Sequence, residues 1–349
     1  MIITLREITD LIGGRLTGDG TIQITGAETI RDARPGEITL ADKPKLASQL
    51  AACTASAVIV PENFTPEGIA YISVADVHRS FAKVVAYFRP PRKLRNVGVS
   101  PQAIVSPTAR IGLDANVYPG AVIGDDVEIG DGATIFSGVQ VMAGCKIGEG
   151  VTIFPNVVLY ENTIVGPRSI IHSGCVIGAY GFGYETVNGR HLLSAQLGHV
   201  EIGADVDIGA CTTIDRGTYG PTVIGEGTKI DNQVMIAHNC RIGRHNVLCS
   251  HVGIAGSCVT GDYVVLAGQV GIKDHVLIGD KAIVGAQSGV MCDIPSGAHY
   301  LGSPAMPERD QMHVFAAEAR LPEMRKQMKA LQRTVDELSQ HRSPEKEAA

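Results

Sequence analysis

Residues 117–150 read VYPGAVIGDDVEIGDGATIFSGVQVMAGCKIGEG, and an aliphatic residue returns at every sixth position: Val117, Ile123, Ile129, Ile135, Val141 and Ile147. The beat extends upstream through Val99, Val105 and Ile111, and downstream through Ile153, Leu159, Val165, Ile171 and Ile177. It resumes at Ile202, Ile208 and Ile214, and again at Ile224, Ile230, Ile236, Ile242, Leu248 and Ile254. It misses once at Thr260, then continues through Leu266, Ile272, Ile278, Val284 and Val290. A period of six is neither the 3.6 of an amphipathic helix nor the 2 of a half-buried strand, and short repeats of this kind belong to solenoids of parallel strands. Glycine often follows the aliphatic, as in Ile123-Gly124, Ile147-Gly148 and Ile278-Gly279, which suits a corner. Four places after each aliphatic stands a small or β-branched residue that also points inward, among them Ala115, Ala121, Val127, Ala133, Cys145, Val157, Val234, Cys240 and Cys258. Three hexads close one triangular coil, each side stacked on the next coil at about 4.8 Å, and roughly ten such coils fit, each buried only against its neighbours.

The rest of the 349-residue chain divides around this solenoid. Residues 1–97 lack the beat and read as a small α/β domain. In it Leu5 to Ile12 forms a helix ended by Gly13-Gly14, Ala57 to Val60 a buried strand, and Ser80 to Phe88 a second helix before Pro90-Pro91, with the linker at Arg89 to Arg95. The solenoid takes residues 98–301, and 302–349 turn helical, with Pro322 tolerable only near a helix start. In that tail Leu321, Met324, Met328, Leu331, Val335 and Leu338 recur at alternating steps of three and four, an a/d seam on which helices of several chains meet or which packs on its own subunit. A net charge of −6 gives no basic excess for nucleic acid. No run long enough to span a bilayer and no cleavable leader is visible, which points to the cytoplasm. Cys145, Cys175, Cys240 and Cys258 occupy inward positions where a thiol only packs, and no metal-ligand spacing occurs.

A scaffold does not disclose an activity, so function rests on the polar residues that interrupt it. His238 stands two places after Ile236, at a corner where its imidazole faces outward. One coil on stands Gly256 and two coils on Asp274, with His275 beside it. This column puts a neutral-pH base beside a backbone N–H with no side chain over it, the pair that acyl transfer requires. The competing reading of His238 is a solvated corner histidine, like His172, His245 and His251. Asp231 and Asn232 stand at a corner, where Asp and Asn commonly satisfy backbone groups. Asp215-Arg216 reads as an ion pair between subunits.

The string Thr212 to Asn239, containing Ile230-Asp231-Asn232-Gln233-Val234-Met235-Ile236-Ala237-His238-Asn239, with Gly181-Phe182-Gly183 upstream and Ala267-Gly268-Gln269-Val270-Gly271 downstream, closely resembles the UDP-3-O-acylglucosamine N-acyltransferase family of lipid A biosynthesis. The resemblance covers nearly the whole chain. It implies a mainly β, left-handed parallel β-helix of hexapeptide repeats, packed as a homotrimer, with an N-terminal uridine-binding α/β domain and a C-terminal helical extension. It also implies direct transfer of a 3-hydroxyacyl chain from the 4'-phosphopantetheine thioester of acyl carrier protein to the 2-amino group of UDP-3-O-acylglucosamine, with no tightly bound cofactor and no metal. The roles it implies are His238 as general base, Gly256 N–H as oxyanion donor, and His275 as an orienting or phosphate-facing group. Asp231, Asn232, Gln233, Asn239, Phe182 and Gln269 then line the substrate site. The chain departs from the family where two aromatics usually hold uracil: Leu40 and Leu46 stand there, leaving apolar contact without stacking, while Lys43 and Lys45 reach the diphosphate or stay in a solvated loop. Arg320, Arg325, Lys326 and Lys329 offer a basic cluster suited to an acidic carrier protein, or a solvated heptad flank. The rival readings are a related sugar acyltransferase that O-acylates or takes another nucleotide sugar, a zinc hydratase lacking an obvious third histidine, and a non-catalytic trimeric scaffold. Residues near Gly289 and Met291 bear on acyl-chain depth.

Overall fold

The computed structural model describes residues 1–90 and 96–341, so most of the proline-bearing linker lies outside the described residues. The chain forms two compact units, Met1–Arg95 and Asn96–Ala349.

In the first unit, helix α1 (Leu5–Ile12) starts at a capping box in which Thr4 and Glu7 satisfy each other's backbone N–H, and ends at Gly13 in the left-handed conformation. Helices α2 (Ala47–Ala51) and α3 (Val77–Phe88) follow. Helix α3 begins earlier than the apolar pattern indicates, because the Asp76 carboxylate caps Arg79 N–H. A five-stranded sheet is ordered Arg15–Thr17, Ala70–Val74, Ala57–Pro61, Glu37–Leu40, Gly26–Ala27, parallel except at its first edge. Leu5, Ile8, Ile38, Ile59 and Ile72 form the core on one side.

The second unit is the parallel solenoid that the hexad beat predicts. Two-residue strands stack into an 11-stranded, a ten-stranded and a nine-stranded sheet, the three walls of a prism. Partners along a wall stand one coil apart, as Ile123↔Val141 and Ile236↔Ile254 do, and the hexad aliphatics from Val117 to Val290 lie in one continuous core. The inward cysteines are fully buried; burial pushes the thiols of Cys145 and Cys175 up to about 11, so they pack without reacting. Thr260, the one missed beat, is buried and its hydroxyl is spent on the Gly243 N–H and the Asn246 amide. At the start of the solenoid the beat overstates burial. Val99 is 47% exposed, since an end coil has a coil of its own kind on one side only.

Two excursions break the stacking. Ile171 pairs not one coil on but with Ile208, because residues 178–199 leave the prism and form a hairpin of Tyr184–Val187 and Arg190–Leu193. Ile214 pairs with Ile236, because a short loop at residues 216–220 also leaves it. After the last coils come helices α4 (Glu308–Glu318) and α5 (Leu321–His341), with Pro322 at the second position of α5. No described helix is long and apolar enough to cross a membrane.

Candidate active site

Met235, Gly253 and Gly271 are register partners on the ten-stranded wall, as are Ile236, Ile254 and Ile272. The residues that follow each strand therefore stack at one edge of the prism: Ala237-His238-Asn239, Ala255-Gly256-Ser257, Lys273-Asp274-His275. His238 faces out of the core into a cleft of about 720 Å³ along this edge. Phe182, Gly256, Asp274, His275, Val290 and Met291 line it too. The spacing alone predicts this column, and the structure brings its members together.

The imidazole sits in a slot between two glycines. A Cβ on Gly256 would lie 2.5 Å from His238 Cε1, and one on Gly181, delivered by the 178–199 excursion, 2.6 Å from His238 Cβ. The groove over Gly256 is thus narrower than the sequence suggests, because the ring itself lies across it. Gly181 is held there by its N–H donating to Gln196 Oε1 at 3.0 Å. The ring's tautomer follows from its neighbours. Asn239 Oδ1 accepts from the backbone N–H of Thr218 at 3.2 Å and from its hydroxyl at 3.0 Å. A backbone N–H can only donate, so the atom facing it is the amide oxygen. His238 Nδ1, 3.0 Å from the same oxygen, must then carry the proton and donate. Nε2 is left with a free lone pair. Asn239 takes a left-handed φ of 62°, which its short amide tolerates. The Gly256 N–H makes no hydrogen bond among the described residues, while its carbonyl accepts from His275 N–H at 3.0 Å. His275 Nε2 stands 3.9 Å from the Asp274 carboxylate, both largely exposed.

An oriented imidazole, an unspent N–H donor one coil away and an apolar trough are groups that acyl transfer can use. The family model for UDP-3-O-(3-hydroxymyristoyl) glucosamine N-acyltransferase matches residues 21–87, and the bacterial transferase hexapeptide model matches residues 144–179 and 221–256. The UDP-3-O-acylglucosamine N-acyltransferase of Rhodopirellula baltica is 52% identical over 97% of this chain and 94% of its own. That of Syntrophotalea carbinolica is 49% identical over 96% and 97%. The chain belongs to the UDP-3-O-acylglucosamine N-acyltransferase family. Among solved structures, an Arabidopsis UDP-N-acetylglucosamine acyltransferase is 26% identical, covering 60% of this chain and 73% of its own, with a TM-score of 0.49.

In this acyltransferase the remaining sequence-predicted residues fall in other places. Asp231, Asn232, Gln233 and Gln269 follow strands of the 11-stranded wall, on a different edge of the prism from His238. The Asn232 N–H, then the Ser250 hydroxyl and N–H, hold the Asp231 carboxyl below the usual range. Asn232 Oδ1 accepts from Ala210 N–H, and Gln269 Oε1 from Gln287. Phe182 is 84% exposed at the cleft mouth. In the first unit Leu40 ends a strand and packs against the main core cluster, Leu46 packs on a second cluster with Leu50 and Phe64, and Lys43 stands 3.7 Å from Asp42. Arg320, Arg325, Lys326 and Lys329 are exposed.

One expectation is overturned. Asp215 and Arg216 are not an ion pair offered to another subunit. Arg216 is buried, donates from Nε to Gly178 O at 2.7 Å and from Nη2 to Glu161 at 2.8 Å, and stacks between Tyr160 and Tyr180 of its own chain. Once the excursion folds back, the Gly178 carbonyl at its root takes its donor from Arg216, so the guanidinium is used up inside the chain. Thr218, Gln196 and Gly181 are the supporting residues that the hexad reading passes over. Their signal is the break in the beat: one excursion brings Gly181 against His238 and the other brings Thr218 onto Asn239.

Proposed function

We propose that the chain transfers a 3-hydroxyacyl group from the phosphopantetheine thioester of acyl carrier protein to the 2-amino group of UDP-3-O-(3-hydroxyacyl)-glucosamine, a cytoplasmic step of lipid A biosynthesis carried out by a homotrimer. The observation that carries this reading is the fixed tautomer of His238, whose Nε2 lone pair opens to the cleft beside the unspent Gly256 N–H.

The reaction follows from these two groups. The amine nitrogen bonds to the thioester carbon as His238 Nε2 takes its proton, and the carbonyl oxygen gathers negative charge against the Gly256 N–H. When the oxyanion collapses, the C–S bond breaks, the imidazolium returns the proton to the departing thiolate, and an amide remains. A positioned base contributes about 10²- to 10⁴-fold, and an oxyanion donor about 10²- to 10³-fold. His275 orients the acceptor or meets its phosphates. Gly253 and Gly271 put open space along the wall beside the base, which makes room for an acyl chain running from Met235 toward Met291.

Asp231, Asn232, Gln233 and Gln269 act on substrate from the neighbouring subunit's edge, since their own edge lies away from their own His238. The first unit binds the uridine diphosphate, Leu40 and Leu46 giving flat apolar contact and Lys43 and Lys45 the charge. The decisive experiment offers UDP-3-O-acylglucosamine with a ladder of hydroxyacyl carrier proteins and reads the product by mass spectrometry. An amide-linked product, lost at least 10³-fold in His238→Ala, is expected; an ester product, or turnover unchanged in that variant, would remove the reading.

A further inference from the structure

We propose that Asp215 is a positioning residue for His238: a buried carboxylate behind the imidazole that strengthens it as a base and stabilises the charge it takes on during transfer. This role rests on the reading of His238 as general base.

The placement comes from the register. Ile214 is the ladder partner of Ile236, so Asp215, one residue on, lies beside Ala237 at the inter-strand spacing of about 4.8 Å, next to His238. On its other side its ladder partner is Ala179, just before the Gly181 that closes the slot over the ring. Asp215 is only 8% exposed, and no hydrogen bond reaches its carboxylate among the described residues, although its oxygens keep a little contact with solvent. A buried carboxylate without a donor is costly and seldom kept for packing. The adjacent cation does not serve it, because Arg216 turns away to Gly178, Glu161 and the faces of Tyr160 and Tyr180. From the strand at Val176–Ala179 the nearest residue is the apolar Ala179, and from the excursion Gln196 is committed to Gly181. From the Met235–Ile236 strand end come His238 and the neutral Asn239, which already accepts from Thr218. The charged partner left to Asp215 is the ring of His238. Burial pushes the Asp215 carboxyl up to about 6, against the pull of His238, so at neutral pH it is an anion within electrostatic reach of that ring, without a direct ion-pair contact.

The inference is tested on the full chain with Asp215→Asn, which keeps the side-chain volume and removes the charge. The His238 ring is titrated by NMR in ¹³C-histidine-labelled protein, with His238→Gln to assign its signal. The expected result is protonation of that ring moving by about one pH unit to lower pH. The acid limb of the kcat/KM profile should move the same way, with kcat down about tenfold and KM for the acceptor within about threefold. A residue that only packs would leave both midpoints in place. Should Asp215→Asn fail to fold, the wild-type protein still decides, because the His238 resonance must then show a second inflection as Asp215 ionises. Unshifted midpoints, or a single inflection in the wild type, overturn the proposal. Turnover that survives His238→Ala overturns the base reading and this role with it, whereas lost turnover with an unshifted titration overturns this role alone.

Discussion

At the scale of the residue, the site is a matter of what stands on either side of one imidazole. His238 is held by Gly181 and Gly256 on its faces and by Asn239 at Nδ1, and all three restraints are used to aim Nε2. Gly256→Ala is the sharpest probe of that slot. The backbone there is not left-handed, so alanine is tolerated conformationally, but its Cβ would sit 2.5 Å from Cε1 and 2.8 Å from Nε2, and Gly181 bars retreat on the far side. The ring must tilt, and kcat should fall about 10²-fold, the size of losing an aligned base. Overpacking of this kind costs about 1–3 kcal/mol, so the melting curve should show a folded protein; activity within threefold of wild type would mean that the ring has freedom the geometry denies it. Asp215 makes the complementary prediction for stability. Its carboxyl is raised from 3.8 to about 6 in the fold, so ionising it costs the folded state up to about 3 kcal/mol. That cost is present in full above pH 6 and is relieved as pH falls from 6 toward 3.8. Asp215→Asn should therefore melt several degrees higher than wild type at pH 8, with the advantage fading by pH 4. A constant difference across that range would show that the carboxylate is not strained by burial.

At the scale of the element, the walls were legible and the loops were not. The hexad beat specifies strand positions, inward residues and the coil length almost without error, because a core one side chain wide admits only aliphatics and small residues at those places. The column of His238, Gly256, Asp274 and His275 follows from the same counting. What counting cannot supply is the direction in which an excursion folds after it leaves the prism. The 24 residues between Ile177 and Ile202 could have been a solvated hairpin and nothing more. Instead the root of that hairpin returns Gly181 to His238, pinned by Gln196 and by Arg216. The ion-pair reading of Asp215-Arg216 failed for the same reason: the partners of Arg216 lie on this returning segment and on the coil before it, 38 and 55 residues away, distances that no local pattern encodes. Asn239 was legible as a site residue by resemblance, but its function as the tautomer-setting acceptor needed Thr218, which belongs to the second excursion.

At the scale of the whole molecule, the C-terminal helix is the element whose environment a single chain leaves unexplained. Leu321, Met324, Met328, Leu331, Val335 and Leu338 are all more than half exposed, on one seam of a 21-residue helix. In proteins most of a helix's stability comes from packing its apolar face rather than from propensity. Arg325, Lys326 and Lys329 lie off that seam, and among the described residues only a 3.9 Å contact from Lys326 to Glu323 occupies them. The two sets of residues are thus separable, and so are the functions proposed for them, trimer assembly and carrier docking. Leu331→Asp with Val335→Asp places charges in the seam and should weaken association, read by sedimentation as dissociation at micromolar concentration, while leaving the melting of the solenoid itself little changed. Arg325→Glu with Lys329→Glu should leave the oligomer intact and raise KM for acyl carrier protein about tenfold or more, an effect that shrinks as salt is added because the attraction is between solvent-exposed charges. If the acidic substitutions in the seam leave the oligomer whole, assembly resides in the prism walls alone. If the charge reversal leaves KM and its salt dependence untouched, the carrier approaches from another surface and the basic residues serve only to keep the helix soluble.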